Sequence, residues 1–292
     1  VISTNADGTY GIGQTITVEV GFSKAVTVTG TPYIRLEMGT TDRNATYVSG
    51  SSTTSLTFTY TIAAGDTNAD LDYTTTTALN LNSGTIRDQW GTNATLTLAS
   101  PGALYSISDT QNIVVDGSAP TVVAVSSSNA NGSYGVGDVI TVQVTFSEAV
   151  TVTGTPYITL EMGTTDRNAS YVSGSSSTTL TFTHTIVAGD TNADLDYTNT
   201  SALNLNGGTI RDVASNNATL TLATPGATNS IADNQAIVVD GTLPTVLAVS
   251  SSNANGTYGL GDTITVQVTF SEAVTVTGTP FITLELGGVD KN

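Results

Sequence analysis

The sequence predicts an all-β protein, a rod-like array of tandem antiparallel β-sandwich domains. Three observations carry this. The chain repeats itself, with Tyr10, Tyr134 and Tyr258 in the same local motif, each 124 residues from the last. Within a repeat, apolar residues alternate with polar ones at a period of two, as in a sheet with one buried and one wet face. The composition also favours strands and turns. Hydrophobic residues make up 38% and charged residues only 11%, and Thr, Ser, Asn and Gly fill the difference.

The repeat fixes the organisation. Pro32 to Ser51 matches Pro156 to Ser175 at 18 of 20 positions without a gap. A unit of 124 residues is domain-sized and too long for a solenoid turn or a propeller blade. Ile113-Val114-Val115-Asp116 reads as a last strand. Gly117 to Pro120 reads as a short joint, and Thr121 opens a new first strand. The same text returns at Ile237 to Pro244. The predicted domains are 1–116 (repeat 1, first strand trimmed), 120–240 (repeat 2) and 244–292 (repeat 3, its first part only). Val1 aligns with Val125 and Asn292 with Asn168, so a segment of a longer array is expected. A joint of about four residues with a proline and no Gly/Ser run predicts a stiff connection.

The elements follow in order through repeat 2. Thr121–Val125 is the expected first strand. Ile140, Val142, Val144 and Phe146 alternate with Thr141, Gln143 and Thr145 in the second. Tyr157–Met162 and Ala169–Val172 come next. Leu180, Phe182, His184 and Ile186 then alternate with threonines. Ala218–Leu222 and Ala236–Val239 close the unit. Turn residues lie between, at Asn131-Gly132, Gly163 to Asn168, Ser173 to Ser177 and Asn206-Gly207-Gly208. Seven or more short strands at this spacing read as a sandwich. No helical period of useful length is present.

Charge and composition exclude several functions. The formal net charge is −17, with only seven basic residues. Nucleic-acid binding needs clustered Lys and Arg, and none is found. An anionic membrane surface would repel the chain, and no apolar run is long enough to cross a bilayer. With no cysteine, disulfides, thiolate chemistry and Cys-based zinc sites are ruled out. Acidity does suit hard cations such as Ca²⁺.

No catalytic set assembles. The single histidine, His184, lies in the apolar phase of a strand where repeat 1 has Tyr60, and reads as a packing or edge position. Trp90, the single tryptophan, stands where repeat 2 has Ala214, and reads as loop packing rather than a sugar platform. The chain is expected not to be an enzyme, since nucleophilic catalysis needs a base beside the nucleophile.

The acids are more informative. Asp66, Asp70 and Asp72 lie close together in GDTNADLDY, and Asp190, Asp194 and Asp196 repeat them. Asp116 and Asp240 occupy the joints, and Glu148 and Glu272 stand in FSEAV. Calcium takes six to eight oxygens, several from carboxylates on loops. These ten residues are the predicted metal set, placed at inter-domain joints. The competing reading is that they are solvated turn residues. Asp88 and Asp212 share an IRDxxxxNAT hairpin. Repeat 1 departs from the pattern, with Lys24 in place of the glutamate and Gln14 in place of Asp138. Its upstream joint is expected to hold an ammonium where others hold an ion.

Taken together, NGTYGLGD, FSEAVTVTGTP, YVSGS, AGDTNADLDYT, ALNLNGGTIRD, NATLTL and IVVDG resemble the immunoglobulin-like or cadherin-like tandem repeats of large bacterial surface adhesins. The resemblance spans nearly the whole chain and rests on the order and spacing of the motifs. It implies an immunoglobulin-like sandwich, display at the cell surface, an extender or stalk role in cell adhesion, and calcium at the joints. The family's joint acid maps onto Asp116 and Asp240. Where those proteins often read D-x-A-G-N, this chain has Asp88-Gln89-Trp90-Gly91-Thr92-Asn93 and Asp212-Val213-Ala214-Ser215-Asn216, which sets Asp88 and Asp212 apart from the family's site.

The expected role is therefore a structural stalk segment of a large extracellular repeat protein. The expected partners are neighbouring repeats of the same chain, with no nucleic acid and no membrane insertion. Two alternatives stay open: a segment of a self-assembling extracellular filament, built with other copies in a fibre, and a carbohydrate- or protein-binding immunoglobulin-like module. Near-uniform copies suit a spacer, and also a fibre whose subunits meet through repeated surfaces, whereas binding modules diversify at their contact loops.

Overall fold

A computed structural model describes residues 1–291. The chain is all-β, and its first two repeats build the same two sheets. In repeat 1 a seven-stranded sheet runs in the order Ile2–Ser3, Thr15–Thr29, Thr53–Thr61, Arg43–Ser49, Tyr33–Leu36, Leu79–Asn80, with Thr85–Asp88 also paired to the long second strand. A three-stranded sheet joins Gly8–Tyr10, Ile113–Asp116 and Thr67–Asn68. Repeat 2 reproduces both sheets in the same order.

Alternation sets the register. Ile140, Val142 and Val144 stand opposite His184, Phe182 and Leu180, and all but the histidine are fully buried. Each of these two repeats has its own core, which unites residues of both sheets. In repeat 2 this runs from Val142 and Phe182 to Ile237 and Val239. In repeat 1 it runs from Val18 and Phe58 to Ile113 and Val115. A shift of one residue would turn each apolar set outward, so burial specifies the pairing.

The long strand Val139–Thr153 changes partner midway. Its first half pairs with Ser177–Thr185 and its second with Thr209–Arg211, and the register shifts between Thr145 and Val150. Glu148 lies in this irregular stretch. Lys24 lies in the equivalent one, between Gly21 and Val26. Bulges re-aim side chains, and here they turn these two residues out at one end of the repeat.

One expectation needs correction. Ala218–Leu222 is not a strand. Its amides donate to three separate segments, at Ile210, Pro120 and Thr200, so no single neighbour can run a ladder along it. Two one-turn helices also appear, Ile107–Thr110 and Ile231–Asn234, each capped by a buried serine, Ser106 or Ser230. A single turn leaves no period to read. In the third repeat Val246–Ser251 pairs with Val266–Phe270, and Val246, Leu247, Val249 and Val268 are exposed. No helix among the described residues is long and apolar enough to cross a membrane.

Candidate metal-binding joint

The end of repeat 1 meets repeat 2 through a small, specific set of residues. Asp116 ends the strand Ile113–Asp116. Glu148 projects from the irregular stretch of the long strand, and Asp212 opens the hairpin turn after Thr209–Arg211. Ligand atoms of these three carboxylates lie within 4.8 Å of one another. They are the one such acidic group among the described residues. Asp212 is buried and the other two are half-buried.

Asn216 ties this cluster to both repeats. Its Oδ1 accepts from the Ile12 amide at 2.7 Å. Its Nδ2 donates to the Asp116 carbonyl at 2.8 Å, the Ser118 carbonyl at 3.1 Å and Asp212 Oδ2 at 2.8 Å. The Asn216 amide donates to Asp212 Oδ1 at 2.8 Å, which closes the turn. Repeat 1 approaches closely at Gly11. A Cβ there would sit 2.4 Å from the Ala214 carbonyl oxygen and 2.5 Å from Asn216 Oδ1, so only glycine fits this contact.

Electrostatics at the joint are unbalanced. Burial pushes the Glu148 carboxyl above its ordinary value, and the charges of Asp116 and Asp212 push it further the same way. Like charges this close disfavour full ionisation. At the next joint, Asp240 and Glu272 line one open cleft with Tyr134 and Pro244. One oxygen of Glu272 is enclosed there without a hydrogen-bond partner.

The three clustered carboxylates fit a hard divalent cation, which takes oxygen ligands at short range. Each Asp212 oxygen accepts one bond from Asn216, which leaves each a further lone pair to offer an ion.

The other predicted acids do different work. Asp66 is buried, and its oxygens accept from Arg43 at 2.7 Å, from Tyr60 and from the Ala63 amide at 2.8 Å. Asp190 is its counterpart, held by Arg167 at 2.6 Å, His184 at 2.9 Å and the Val187 amide at 3.0 Å. Burial alone would raise both carboxyls, but these bonds outweigh it and hold them below the ordinary value. Burial first, then the Asp66 bond, pushes Tyr60 up to about 12. The main chain of the same loop grips the joint, since the Gly117 amide donates to the Asp66 carbonyl at 2.7 Å. Asp196 is buried, and its oxygens accept from the amides of Tyr197, Gly226 and Ile231. Asp72 does the same with Tyr73, Gly102 and Ile107, and takes the Ser108 hydroxyl as well. Asp70 and Asp194 are exposed in the turn between. None of these six joins the joint cluster.

Asp212 and Asn216 are the joint residues that motif reasoning leaves out. Trp90 also departs from expectation. It is 72% exposed rather than packed into its loop, with the Lys24 ammonium 5.5 Å from its ring centroid. The chain matches no known protein family and no curated protein.

Proposed function

We propose that the chain is a spacer segment of a large extracellular repeat protein. In this reading it is a rod of immunoglobulin-like sandwiches that carries adhesive parts away from a cell surface and performs no catalysis. One observation carries the reading: the joint between the first two repeats is built by both of them. A flexible tether would need neither the glycine-tight contact at Gly11 nor the Asn216 clasp across the linker.

Calcium completes the joint in this account. Asp116, Glu148 and Asp212 supply a carboxylate each, and a divalent ion offsets their mutual repulsion. The enclosed Glu272 oxygen beside Asp240 points the same way at the following joint, because a buried acceptor without a partner costs about 1–3 kcal/mol. If free calcium stands 100-fold above its dissociation constant, linkage adds about 2.7 kcal/mol to the bound form. That is a sizeable part of a net stability of roughly 5–15 kcal/mol. Resemblance to the repeats of surface adhesins supports the extracellular placement.

Calorimetric titration of chelator-stripped protein tests the cation directly. A saturable calcium heat that falls sharply in Asp212→Asn and Glu148→Gln is expected. Absence of that heat in the unaltered chain, at matched ionic strength, rejects calcium and leaves only the clasp.

A further inference from the structure

Repeat 2 meets repeat 1 through Glu148, Asp212, Ala214 and Asn216. The positions 124 residues earlier, on the corresponding end of repeat 1, hold Lys24, Asp88, Trp90 and Thr92. Three of these four differ. Pro32–Ser51 and its partner, by contrast, share 18 of 20 positions. The third repeat has Glu272 at the position of Glu148, so the lysine is peculiar to repeat 1. At the surface that makes a joint one repeat later, the changes reverse a charge (Lys24 against Glu148) and replace a small side chain by a large aromatic (Trp90 against Ala214).

That surface is organised. Asp88 Oδ1 accepts from the amides of Trp90 at 3.0 Å and Thr92 at 2.9 Å, which fixes the turn and holds Trp90 outward. Lys24 is exposed beside it. Lys24 and Asp88 line one groove with Phe22, Asn93 and Thr95. Lys24 also helps to hold the Asp88 carboxyl below its ordinary value, after the larger effect of the Thr92 amide.

We infer that this end of repeat 1 is a joint surface of a second, cation-free kind, fitted to the acid-bearing end of a like repeat. This rests on the cation reading of the joint between repeats 1 and 2. In that joint the neighbour's end brings the Asp116 carboxylate against Glu148 and Asp212, three negative charges in all. Here the same approach brings one carboxylate against Lys24 and Asp88, so one ammonium stands among two carboxylates and no divalent ion is called for. Trp90 takes the place of the small Ala214 at the contact. Tryptophan is among the residues that most often anchor a protein interface. A carboxylate-bearing protein end suits the groove better than a neutral sugar, because only the carboxylate adds a charge opposite to that of Lys24, whose ammonium already lies by the Trp90 ring.

The test extends the chain at its start with a second copy of residues 1–124, so that the end of that copy meets Lys24 and Trp90 across the usual short linker. The leading copy carries Trp90→Phe, which leaves one fluorescent tryptophan. Spin-label pairs span the new joint and, in a second sample, the joint between the original repeats 1 and 2. The expected result is a narrow distance distribution at the new joint in chelator and in calcium alike. Lys24→Glu should broaden it in chelator and restore it with calcium, and Trp90→Ala should broaden it in both. Trp90 emission should shift to the blue in the extended chain. A broad distribution in both conditions, a calcium requirement at the new joint, or indifference to both substitutions overturns the inference. So does a saturable change in Trp90 emission when the unextended chain is titrated with a neutral cello-oligosaccharide. If the original joint proves indifferent to calcium, the cation reading fails there, while the new joint is still judged on its own substitutions.

Discussion

Asn216→Ala should unlock the joint without unfolding either repeat. The side chain makes three bonds to repeat 1 and the linker, to the Ile12 amide and the carbonyls of Asp116 and Ser118. At about 1 kcal/mol net each, their loss weakens the coupling by about 3 kcal/mol, on the order of a hundredfold in equilibrium. The cores lie elsewhere and each is complete within its own repeat, so melting of the separate repeats should change little. Hydrogen exchange at the Ile12 amide reads the coupling at a single atom. In the unaltered chain this amide should be protected although Ile12 itself is 42% exposed, and Asn216→Ala should speed its exchange on the order of a hundredfold. Asn216→Thr, which copies Thr92 of repeat 1, should do nearly the same. If the Ile12 amide exchanges freely in the unaltered chain, or if the variant leaves its rate unchanged, the clasp does not hold the joint.

Glu148→Gln should tighten the joint in chelator and weaken its response to calcium, as read by the Ile12 amide. Because the folded Glu148 carboxyl titrates above its ordinary 4.5, its contribution is full below that value and is lost as pH rises through the raised one. Ion-free protein should therefore loosen at the joint on going from pH 4.5 upward, and Glu148→Gln should flatten that profile. Asp66 and Asp190 act with the opposite sign: titrating below their ordinary 3.8, they stabilise above it, so each repeat should lose stability in circular-dichroism melts below pH 3.8. Asp196→Ala strands three amide donors in repeat 2 and should cost about 3 kcal/mol, lowering the melting temperature of that repeat by roughly 10 °C while repeat 1 holds. Gly117→Ala would place a Cβ 2.5 Å from the Ala63 carbonyl and 2.7 Å from that of Asp66, so it should displace the linker and speed Ile12 amide exchange as the Asn216 variants do.

Much of the fold is legible because burial writes a period of two into the strands. Val142, Val144, Leu180 and Phe182 announce their face, and a one-residue slip would expose all of them. Ala218–Leu222 misleads for the same reason: it alternates, yet its amides serve three separate segments, and alternation reports burial rather than pairing. Asp116 and Glu148 are legible as neighbours because one ends a repeat and the other lies past the apolar alternation of the second strand of the next. Asp212 is harder to find, since its hairpin departs from the D-x-A-G-N pattern of the repeats it resembles, and only the fold brings it to the joint. Asn216 has a single signal, its difference from Thr92 at the matching position. Asp66 and Asp190 look like ligands by spacing, but Arg43 and Arg167 recur at a matching offset in a chain with only seven basic residues. A recurring arginine in so acidic a sequence indicates an internal ion pair, and that pairing turns both carboxylates inward.

Small-angle X-ray scattering on the whole chain in calcium tests the central claim, that successive repeats are held in line by a built joint. The account predicts an elongated particle of sandwiches in a row, whose largest dimension spreads over a wider range in chelator and in Asn216→Ala. A compact globule, or an extended particle with the same broad distribution in calcium, in chelator and in the variant, would contradict it.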